Sequence, residues 1–296
     1  MSSPPPPFDL QAHRGGAGLW PENTLEAFGR ALALGVSTLE LDVHLTAEDD
    51  VVVAHDPTLG GSALADARRI RELTRADLPP SMPLLRQVAA LLDERGAEPV
   101  RLNLEIKYDA LDGARLTSRE AFVARVVEAL RIDGLVGRTS IQCFDWGVLA
   151  RVGDAEPLLA RNLLVSPRYL KATADAPSPW FDGLAVDTDF VRTAAAEGFT
   201  TISPLHGSPF LSGVEDPAYV PFATAELIAH AHTAGLAVVP YVVDDAPTMR
   251  HLIDLGVDGL ITNRPDLLRD VLEQEERALP PTFARQATSL RDEESS

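Results

Sequence analysis

The sequence predicts an α/β protein that folds as a single-domain (β/α)8 barrel with a short insertion after the second strand. Short β-type runs alternate with helical runs along the chain, and repeated strand–helix–strand units build parallel sheets. About eight such units close into a barrel. The length of 296 residues agrees, because barrels of this size fold around one core.

The elements follow from local patterns. The strand candidates, in chain order, are FDLQAH, TLELDVHL, VRLNLEIK, TSIQCF, PLLARNLLV, TTISPL, LAVVPYVV and GLIT. The helix candidates include TLEAFGRALAL, REAFVARVVEAL, ELIAHAHTAG and TMRHLIDLG. GLAVD, residues 183–187, is a surplus strand candidate, so either it or TTISP is the sixth barrel strand.

The first helix carries a start signal. Asn23 as N-cap with Glu26 three residues later resembles a capping box, and Leu25, Phe28 and Leu32 form an apolar stripe. The PENT stretch therefore has a purely structural interpretation, which stands beside a functional one.

The two ends of the chain differ in composition from the rest. We expect the barrel to span residues 8–279, and residues 1–7 and 280–296 to be flexible termini, because the start is Pro-rich and the end is polar.

Composition excludes several classes of function. Hydrophobic residues make up 45% and charged residues 24%, as in ordinary globular enzymes. A net charge of -18 argues against nucleic-acid partners and against adhesion to anionic membranes. The single Cys143 excludes an internal disulfide and fits a reducing compartment. Without a signal peptide or an apolar run long enough for stable membrane insertion, we expect a cytoplasmic protein.

Three acidic side chains point into the predicted barrel. Period-two alternation in TLELDVHL puts Glu40 and Asp42 on the face opposite the apolar residues, and VRLNLEIK does the same for Glu105 and Lys107. Buried carboxylates are strongly unfavourable unless a hard divalent cation or salt bridges to Arg14 and Lys107 compensate them. We favour the ion because the salt bridges leave one acid without a partner.

Two histidines stand at positions suited to catalysis. His13 ends the strand candidate FDLQAH and His55 ends a further one, VVVAH, and barrel active sites lie at the C-terminal ends of strands. The other notable histidines are His230, His232 and His251, which are typical of helix surfaces, and His206, a weaker candidate for lining the pocket.

Other mechanisms lack their motifs. The sequence has no G-x-S-x-G elbow, H-E-x-x-H pair or P-loop, and GGAG does not match a dinucleotide fingerprint. Two imidazoles, three carboxylates, an arginine and a lysine at one mouth suit hydrolysis of a phosphoester.

These residues lie in motifs that resemble the glycerophosphodiester phosphodiesterase family, a TIM-barrel branch related to phosphatidylinositol-specific phospholipase C. The similar segments are HRGGAGLWPENT, ELDVHLTAEDDVVVAHDPTL, LNLEIK, QCFDW and VVPYVVDDAPTMRHLIDLGVDGLITNRP. They recur in order from His13 to Pro265.

The resemblance implies roles for these positions. It implies that Glu40, Asp42 and Glu105 hold one divalent cation, Mg²⁺ or Ca²⁺. It also implies that His13 and His55 are the general acid and base, and that Arg14 and Lys107 bind phosphate. The implied reaction releases sn-glycerol 3-phosphate from a small-molecule phosphodiester. In it a substrate hydroxyl attacks phosphorus, and water then opens the cyclic phosphate.

The chain departs from the family pattern at a few positions. The family's W-T-V-N appears as Tyr241 to Asp244, its T-D-x-P as Thr262 to Pro265, and the serine before Phe144 is Cys143. Tyr241 still offers an aromatic wall for substrate. The segment from Leu59 to Pro83 takes the place of a family insertion and is either a small lid or a loop.

Two alternatives stay open at this stage. One is a lysophospholipase D-type phosphodiesterase, which requires an apolar groove for an acyl chain. The other is a non-catalytic barrel that binds a phosphodiester, although all seven positions that carry the chemistry are present.

Overall fold

The computed structural model describes residues 7–60, 68–112, 117–171 and 177–284. Its strands within those ranges are β1 (Asp9–Ala12), β2 (Thr38–Leu45), β3 (Val51–Val53), β4 (Arg101–Ile106), β5 (Thr139–Cys143), β6 (Ala160–Val165), β7 (Thr201–Pro204), β8 (Gly207–Ser208), β9 (Val220–Pro221), β10 (Ala237–Val238) and β11 (Gly259–Thr262). The α-helices are α1 (Leu25–Leu34), α2 (Leu85–Glu94), α3 (Arg119–Ile132), α4 (Trp146–Ala155), α5 (Pro167–Leu170), α6 (Phe190–Ala196), α7 (Ala225–Thr233), α8 (Ala246–Asp254) and α9 (Pro265–Gln274).

Parallel strands form a closed barrel. Their order is β10, β7, β6, β5, β4, β2, β1 and β11. The two ends of this order meet through backbone bonds from Asp258 N to Val238 O (2.9 Å) and from Ile261 N to Pro240 O (3.0 Å). The predicted (β/α)8 barrel is therefore confirmed.

The two faces of β2 explain how this barrel is packed. Leu39 and Leu41 are fully buried in the same core as Phe28 of α1, so the apolar face meets the outer helices. The opposite face looks into the barrel, whose interior holds amide side chains. Asn103 Nδ2 donates to Gln11 Oε1 and to the Oε1 of Gln142, each at 2.8 Å. Polar groups can therefore line the inside without losing hydrogen bonds.

The sixth barrel strand is β7 and not the segment 183–187. Thr201 pairs in parallel with Asn162 of β6. Asp182 and Gly183 have φ angles of 51° and 82°, in the left-handed region, so the chain turns there and runs on as a loop.

Helix α1 begins one residue later than predicted, so Asn23 as its N-cap was wrong. Thr24 is the N-cap, and its hydroxyl accepts from Ala27 N at 3.1 Å. Asn23 is buried and its amide Nδ2 donates to Asp42 Oδ2 at 2.9 Å. Asn23 has a φ of 56°, in the left-handed region, whereas an N-cap residue has extended backbone, as Thr24 does.

His55 follows β3. The sequence predicted a barrel strand before His55, but β3 is a hairpin strand. β3 runs antiparallel to β2, with Val43 opposite Val53. The next residue, Ala54, donates its N–H to Asp42 O at 3.0 Å. The hairpin thus returns the chain to the level of Asp42 and places His55 at the same mouth.

The segment after the hairpin packs separately. Ile70, Leu73, Leu78 and Leu84 form a small apolar cluster with Val52. Residues 61–67 of the lid candidate lie outside the described residues.

Ordered contacts continue past the predicted domain boundary at residue 279. Phe283 donates its N–H to Leu32 O at 2.7 Å and packs against the core. Arg269 NH1 donates to Pro280 O at 3.0 Å. Pro280 and Phe283 therefore contact the barrel, and the domain bounds stay a prediction.

Within the described ranges, no helix combines the length and the apolar character needed to cross a bilayer.

Candidate active site

The predicted site residues meet at the C-terminal mouth of the barrel. A cavity of about 600 Å³ opens there. The predicted residues that line it are His13, Arg14, Glu40, His55, Glu105, Lys107 and Tyr241. Asp42 is fully buried behind them and forms an ion pair with Lys107.

The three predicted carboxylates form one cluster. Glu40, Asp42 and Glu105 each present an oxygen within 4.8 Å of the others. Register explains the meeting, because Asp42 of β2 lies opposite Glu105 of β4 and Glu40 is two residues away on the same face. Asp42 Oδ1 is buried without a hydrogen-bond partner among the described residues. All-oxygen ligands and an unsatisfied buried oxygen fit a hard divalent cation.

Two cations flank this cluster. Lys107 Nζ lies 2.9 Å from Glu105 Oε1 and 3.6 Å from Asp42 Oδ1. Arg14 Nε lies 3.2 Å from Asp42 Oδ2, and NH1 lies 2.8 Å from Glu22 Oε2. The salt-bridge interpretation therefore describes part of the site as well. Among the described residues, it gives Glu40 no arginine or lysine side chain as a partner, and Glu40 accepts from the backbone N–H of Arg14 at 2.8 Å and from the amide of Gln142 at 2.7 Å.

Burial and mutual repulsion divide the carboxyl groups. Burial raises the pKa of Glu40 well above its usual range, and the charges of Asp42 and Glu105 raise it further. Burial also raises the pKa of Glu105 to about 7, although Lys107 opposes the shift. Burial acts the same way on Asp42, but the charges of Lys107 and Arg14 outweigh it and hold its pKa below the usual range. A bound cation would favour the ionised form of all three.

His13 is tethered from the side away from the cavity. Its Nδ1 lies 2.6 Å from Asn263 Oδ1, and its Nε2 lies 3.9 Å from Glu40 Oε2. Burial, followed by the nearby charge of Arg14, lowers the pKa of His13 to about 4. The imidazole is therefore neutral at physiological pH.

His55 has a charged partner instead. Its Nδ1 lies 2.8 Å from Asp56 Oδ1, and its side chain is 33% exposed. Burial and the charge of Lys107 lower the pKa of His55, while the bond to Asp56 opposes the shift. The two imidazoles thus have different partners, a neutral amide and a carboxylate.

His44 is buried beside the site, with its Nε2 3.0 Å from His55 O. Three other histidines lie away from this chemistry. His230 and His232 are exposed and pair with Asp189 and Asp258, as expected of surface residues. His206 is buried, and its Nδ1 lies 3.2 Å from the hydroxyl of Tyr219.

Several residues hold the site side chains in place, and the sequence analysis did not predict this role for them. Gln142 Nε2 donates to Glu40 Oε1 at 2.7 Å, and Asn23 holds Asp42 from the other side. The alternation of TSIQCF would have placed Gln142 inside the barrel. The side chain of Asn263 contacts His13. The two residues are far apart in the sequence and meet because β1 pairs with β11.

One wall of the cavity is apolar. Tyr241 lines it as predicted, and its ring centroid lies 6.0 Å from that of Phe144 in an edge-on arrangement. The other apolar lining residues are Leu164, Leu205, Phe210, Val242 and Ile261. Phe210 is 61% exposed, so this wall continues to the rim of the mouth.

Fold and site together define a barrel enzyme whose mouth combines a carboxylate cluster, two fixed cations and two imidazoles, a set suited to an anionic ester. The profile of the glycerophosphoryl diester phosphodiesterase family matches residues 13–267. The chain belongs to this family. The motif resemblance and the expected enzyme class, a phosphoric diester hydrolase, are thereby confirmed.

Relatives and solved structures agree with this assignment. A glycerophosphodiester phosphodiesterase of Bacillus altitudinis is 26% identical over 276 residues, covering 89% of this chain and 97% of the relative. A lysophospholipase D of Mus musculus is 44% identical over 284 residues, covering 88% and 85%. A Silicibacter pomeroyi protein assigned to the glycerophosphoryl diester phosphodiesterases superposes with a TM-score of 0.73 at 25% identity, covering 93% and 96%.

Proposed function

We propose that this chain hydrolyses a glycerophosphodiester to sn-glycerol 3-phosphate and an alcohol in a reaction that depends on a divalent cation. The observation that carries the proposal is the cluster of Glu40, Asp42 and Glu105, whose oxygens lie within 4.8 Å of one another in a cavity that also holds two imidazoles. The name of the Bacillus altitudinis relative supports the substrate class.

The charged residues have separate tasks in this proposal. Glu40, Asp42 and Glu105 would hold Mg²⁺ or Ca²⁺. A bound divalent ion supplies charge that stabilises the negative charge developing on the phosphoryl oxygens. Lys107 and Arg14 line the same cavity and bind the phosphate from the protein side.

The two imidazoles move the protons. One accepts the proton of the substrate hydroxyl that attacks phosphorus, and the other protonates the alcohol that leaves. Water then opens the cyclic phosphate to give the monoester. His13 and His55 both line the cavity and both use Nδ1 for a protein partner, so Nε2 is the nitrogen available to substrate.

A lysophospholipid is a second candidate substrate, and the apolar wall favours it. Phe144, Leu164 and Phe210 extend this wall from the barrel to the exposed rim, where an acyl chain could lie. The Mus musculus relative is named a lysophospholipase D. The products would be an acylated glycerol phosphate and an alcohol.

The test is product analysis by phosphorus NMR with glycerophosphocholine, glycerophosphoethanolamine and lysophosphatidylcholine, each with Mg²⁺, Ca²⁺ or EDTA. We expect metal-dependent release of glycerol 3-phosphate from the first two. Faster turnover of the lysophospholipid would make it the preferred substrate. No turnover with any metal would support a barrel that only binds phosphodiesters.

Histidine variants test the catalytic roles. His13→Ala and His55→Ala should each lower kcat by ~10²–10⁴-fold, because each removes a proton-transfer group. The matched controls are His230→Ala and His232→Ala on the outer surface, which should keep the wild-type rate. A site variant as active as these controls would rule out that histidine.

A further inference from the structure

A hydrogen-bonded chain of side chains lies behind His13. β1 and β11 are parallel neighbours, with Ala12 opposite Thr262, so the residues that follow them emerge side by side. The Nδ1 of His13 and the Oδ1 of Asn263 are consequently 2.6 Å apart. Asn263 does not itself line the cavity among the described residues.

Asp244 fixes the orientation of the Asn263 amide. Its Oδ2 accepts from Asn263 Nδ2 at 2.8 Å, and its Oδ1 accepts from Asn263 N at 2.8 Å and from the hydroxyl of Thr262 at 3.1 Å. Both carboxylate oxygens of Asp244 accept hydrogen bonds, so the NH₂ group of Asn263 faces Asp244. The amide oxygen is then left to face His13.

This orientation decides which nitrogen of His13 carries the proton. The amide oxygen can only accept, so the Nδ1 of His13 must be the donor. In the neutral ring Nε2 is then unprotonated and lies on the side of Glu40, 3.9 Å from Oε2. Without this partner either tautomer could form and the ring could rotate.

We propose that Asp244 and Asn263 are positioning residues for His13, Asp244 by orienting the amide of Asn263 and Asn263 by holding the ring with Nδ1 protonated. The proposal rests on the proposed catalytic role of His13. Outer partners of this kind commonly decide the tautomer and orientation of a functional histidine.

The backbone around His13 is held by hydrogen bonds other than those of the Asn263 and Asp244 side chains. His13 O accepts from Gly16 N at 2.8 Å and from Ala17 N at 3.1 Å, and Gly18 N donates to Asn263 O at 3.0 Å. None of these bonds involves the side chains of Asn263 or Asp244. Replacing the side chain of Asn263 therefore changes the ring of His13 while the backbone of His13 stays in place.

The first arm of the test uses Asn263→Leu and Asp244→Ala in the full-length enzyme, with Asn162→Leu as matched control. Asn162 is also a buried barrel amide, and its Nδ2 donates to Asn103 and Ser140 rather than to His13 or its partners. We expect Asn263→Leu and Asp244→Ala to lower kcat by ~10–100-fold and to change KM less than about twofold. Losing the outer hydrogen-bond partner of a functional histidine has effects of this size. The control should lower Tm without lowering kcat.

The second arm exchanges the two groups. Asn263→Asp alone sets two carboxylates against each other and should lose activity. The double variant Asp244→Asn with Asn263→Asp restores an acceptor for His13 Nδ1 and a donor between the two residues. We therefore expect the double variant to be at least about fivefold more active than Asn263→Asp, a non-additivity that residues in one hydrogen-bond network show.

The third arm does not depend on activity. In protein labelled with ¹⁵N-histidine, the ring signals of His13, assigned by their loss in His13→Ala, should report Nδ1–H in the wild type. They should shift toward Nε2–H in Asn263→Leu. The proposal is wrong if the tautomer is unchanged in that variant, or if the double exchange recovers no activity. Wild-type inactivity on every diester would refute the proposed function and leave the tautomer result to decide this inference.

Discussion

Asp42 shows how single residues set the electrostatics of the site. Its two oxygens meet different partners: Oδ2 contacts Arg14 and Asn23, and Oδ1 faces Lys107 at 3.6 Å without a hydrogen bond. It is fully buried, yet two nearby cations hold its pKa below the usual range. Asp42 is therefore the ionised member of the cluster, whereas Glu40 and Glu105 need a cation to ionise fully.

Neutral isosteres of the carboxylates test the metal site. We expect Glu40→Gln, Asp42→Asn and Glu105→Gln each to weaken Mg²⁺ or Ca²⁺ binding at least ~10-fold, since each removes an anionic ligand. Titration calorimetry at pH 8 measures the affinity. Asp49→Asn is the control, because Asp49 is a partly exposed carboxylate that pairs with Arg71 and Arg125 outside the site. Unchanged affinity in all three site variants would contradict the assignment.

Two departures from the family pattern, Asp244 and Asn263, turn out to be hydrogen-bonded to each other. The family has an amide at the first position and a carboxylate at the second, and this chain has the reverse. As a bonded pair they keep one amide and one carboxylate behind His13.

At the level of elements, the loop between β1 and α1 brings two site residues to the mouth within a few positions. Arg14 has a positive φ of 51°, and Gly15 and Gly16 follow at 83° and 99°. Glycine adopts these angles without strain. The glycines that precede the first helix thus allow the sharp turn that presents Arg14 to Asp42.

Gly15→Ala should damage this loop. An added Cβ would lie 2.9 Å from the Cβ of Ala27 and 3.1 Å from its backbone carbonyl carbon, so α1 or the loop must move. We expect a loss of ~1–3 kcal/mol in the free energy of unfolding and a higher KM, because Arg14 shifts with the loop. Denaturant unfolding and steady-state kinetics measure both.

Gly134→Ala separates backbone strain from steric clash. Gly134 also has a positive φ, 66°, but an added Cβ meets nothing within 4 Å. Its variant should lose less stability and keep KM. Equal effects at Gly15 and Gly134 would mean that the contact with α1 is unimportant.

For the whole molecule, the carboxylate cluster links stability to pH and to metal. In the metal-free protein the pKa of Glu105 is raised to about 7, so the folded state holds a proton that the unfolded chain releases near its ordinary value. The contribution of this group to stability is therefore fully present at low pH and is lost as pH rises toward 7. Metal binding, which needs the ionised carboxylate, should offset that loss.

We therefore expect the gain in Tm on adding Mg²⁺ or Ca²⁺ to increase between pH 5 and pH 8. The buried His13 and His44 titrate with the opposite sign, since their pKa values are lowered to about 4. In Glu105→Gln both histidines still titrate, so comparison with the wild type isolates the contribution of Glu105. The Tm of this variant without metal should depend less on pH, and its Tm should rise less when Mg²⁺ or Ca²⁺ is added. A metal-induced gain that is independent of pH in the wild type would contradict the linkage.

Much of the molecule followed from the sequence because it depends on local periodicity. Alternation along TLELDVHL and VRLNLEIK placed Glu40, Asp42, Glu105 and Lys107 inside, and the repeated strand–helix units specified the barrel. These inferences need only the two-residue period of a strand and the burial of parallel sheets. The domain boundaries and the cytoplasmic location stay predictions.

Only the tertiary structure decided which groups touch. His13 and Asn263 are 250 positions apart and meet through the closure of β1 on β11. Asn23 has a side chain suited to a helix cap, yet its left-handed backbone excludes that role and its amide donates to Asp42. The choice of β7 over residues 183–187, and the hairpin that carries His55, likewise depended on pairing between distant segments. Local pattern fixes which way a side chain points, whereas its partner depends on chain closure across the whole barrel.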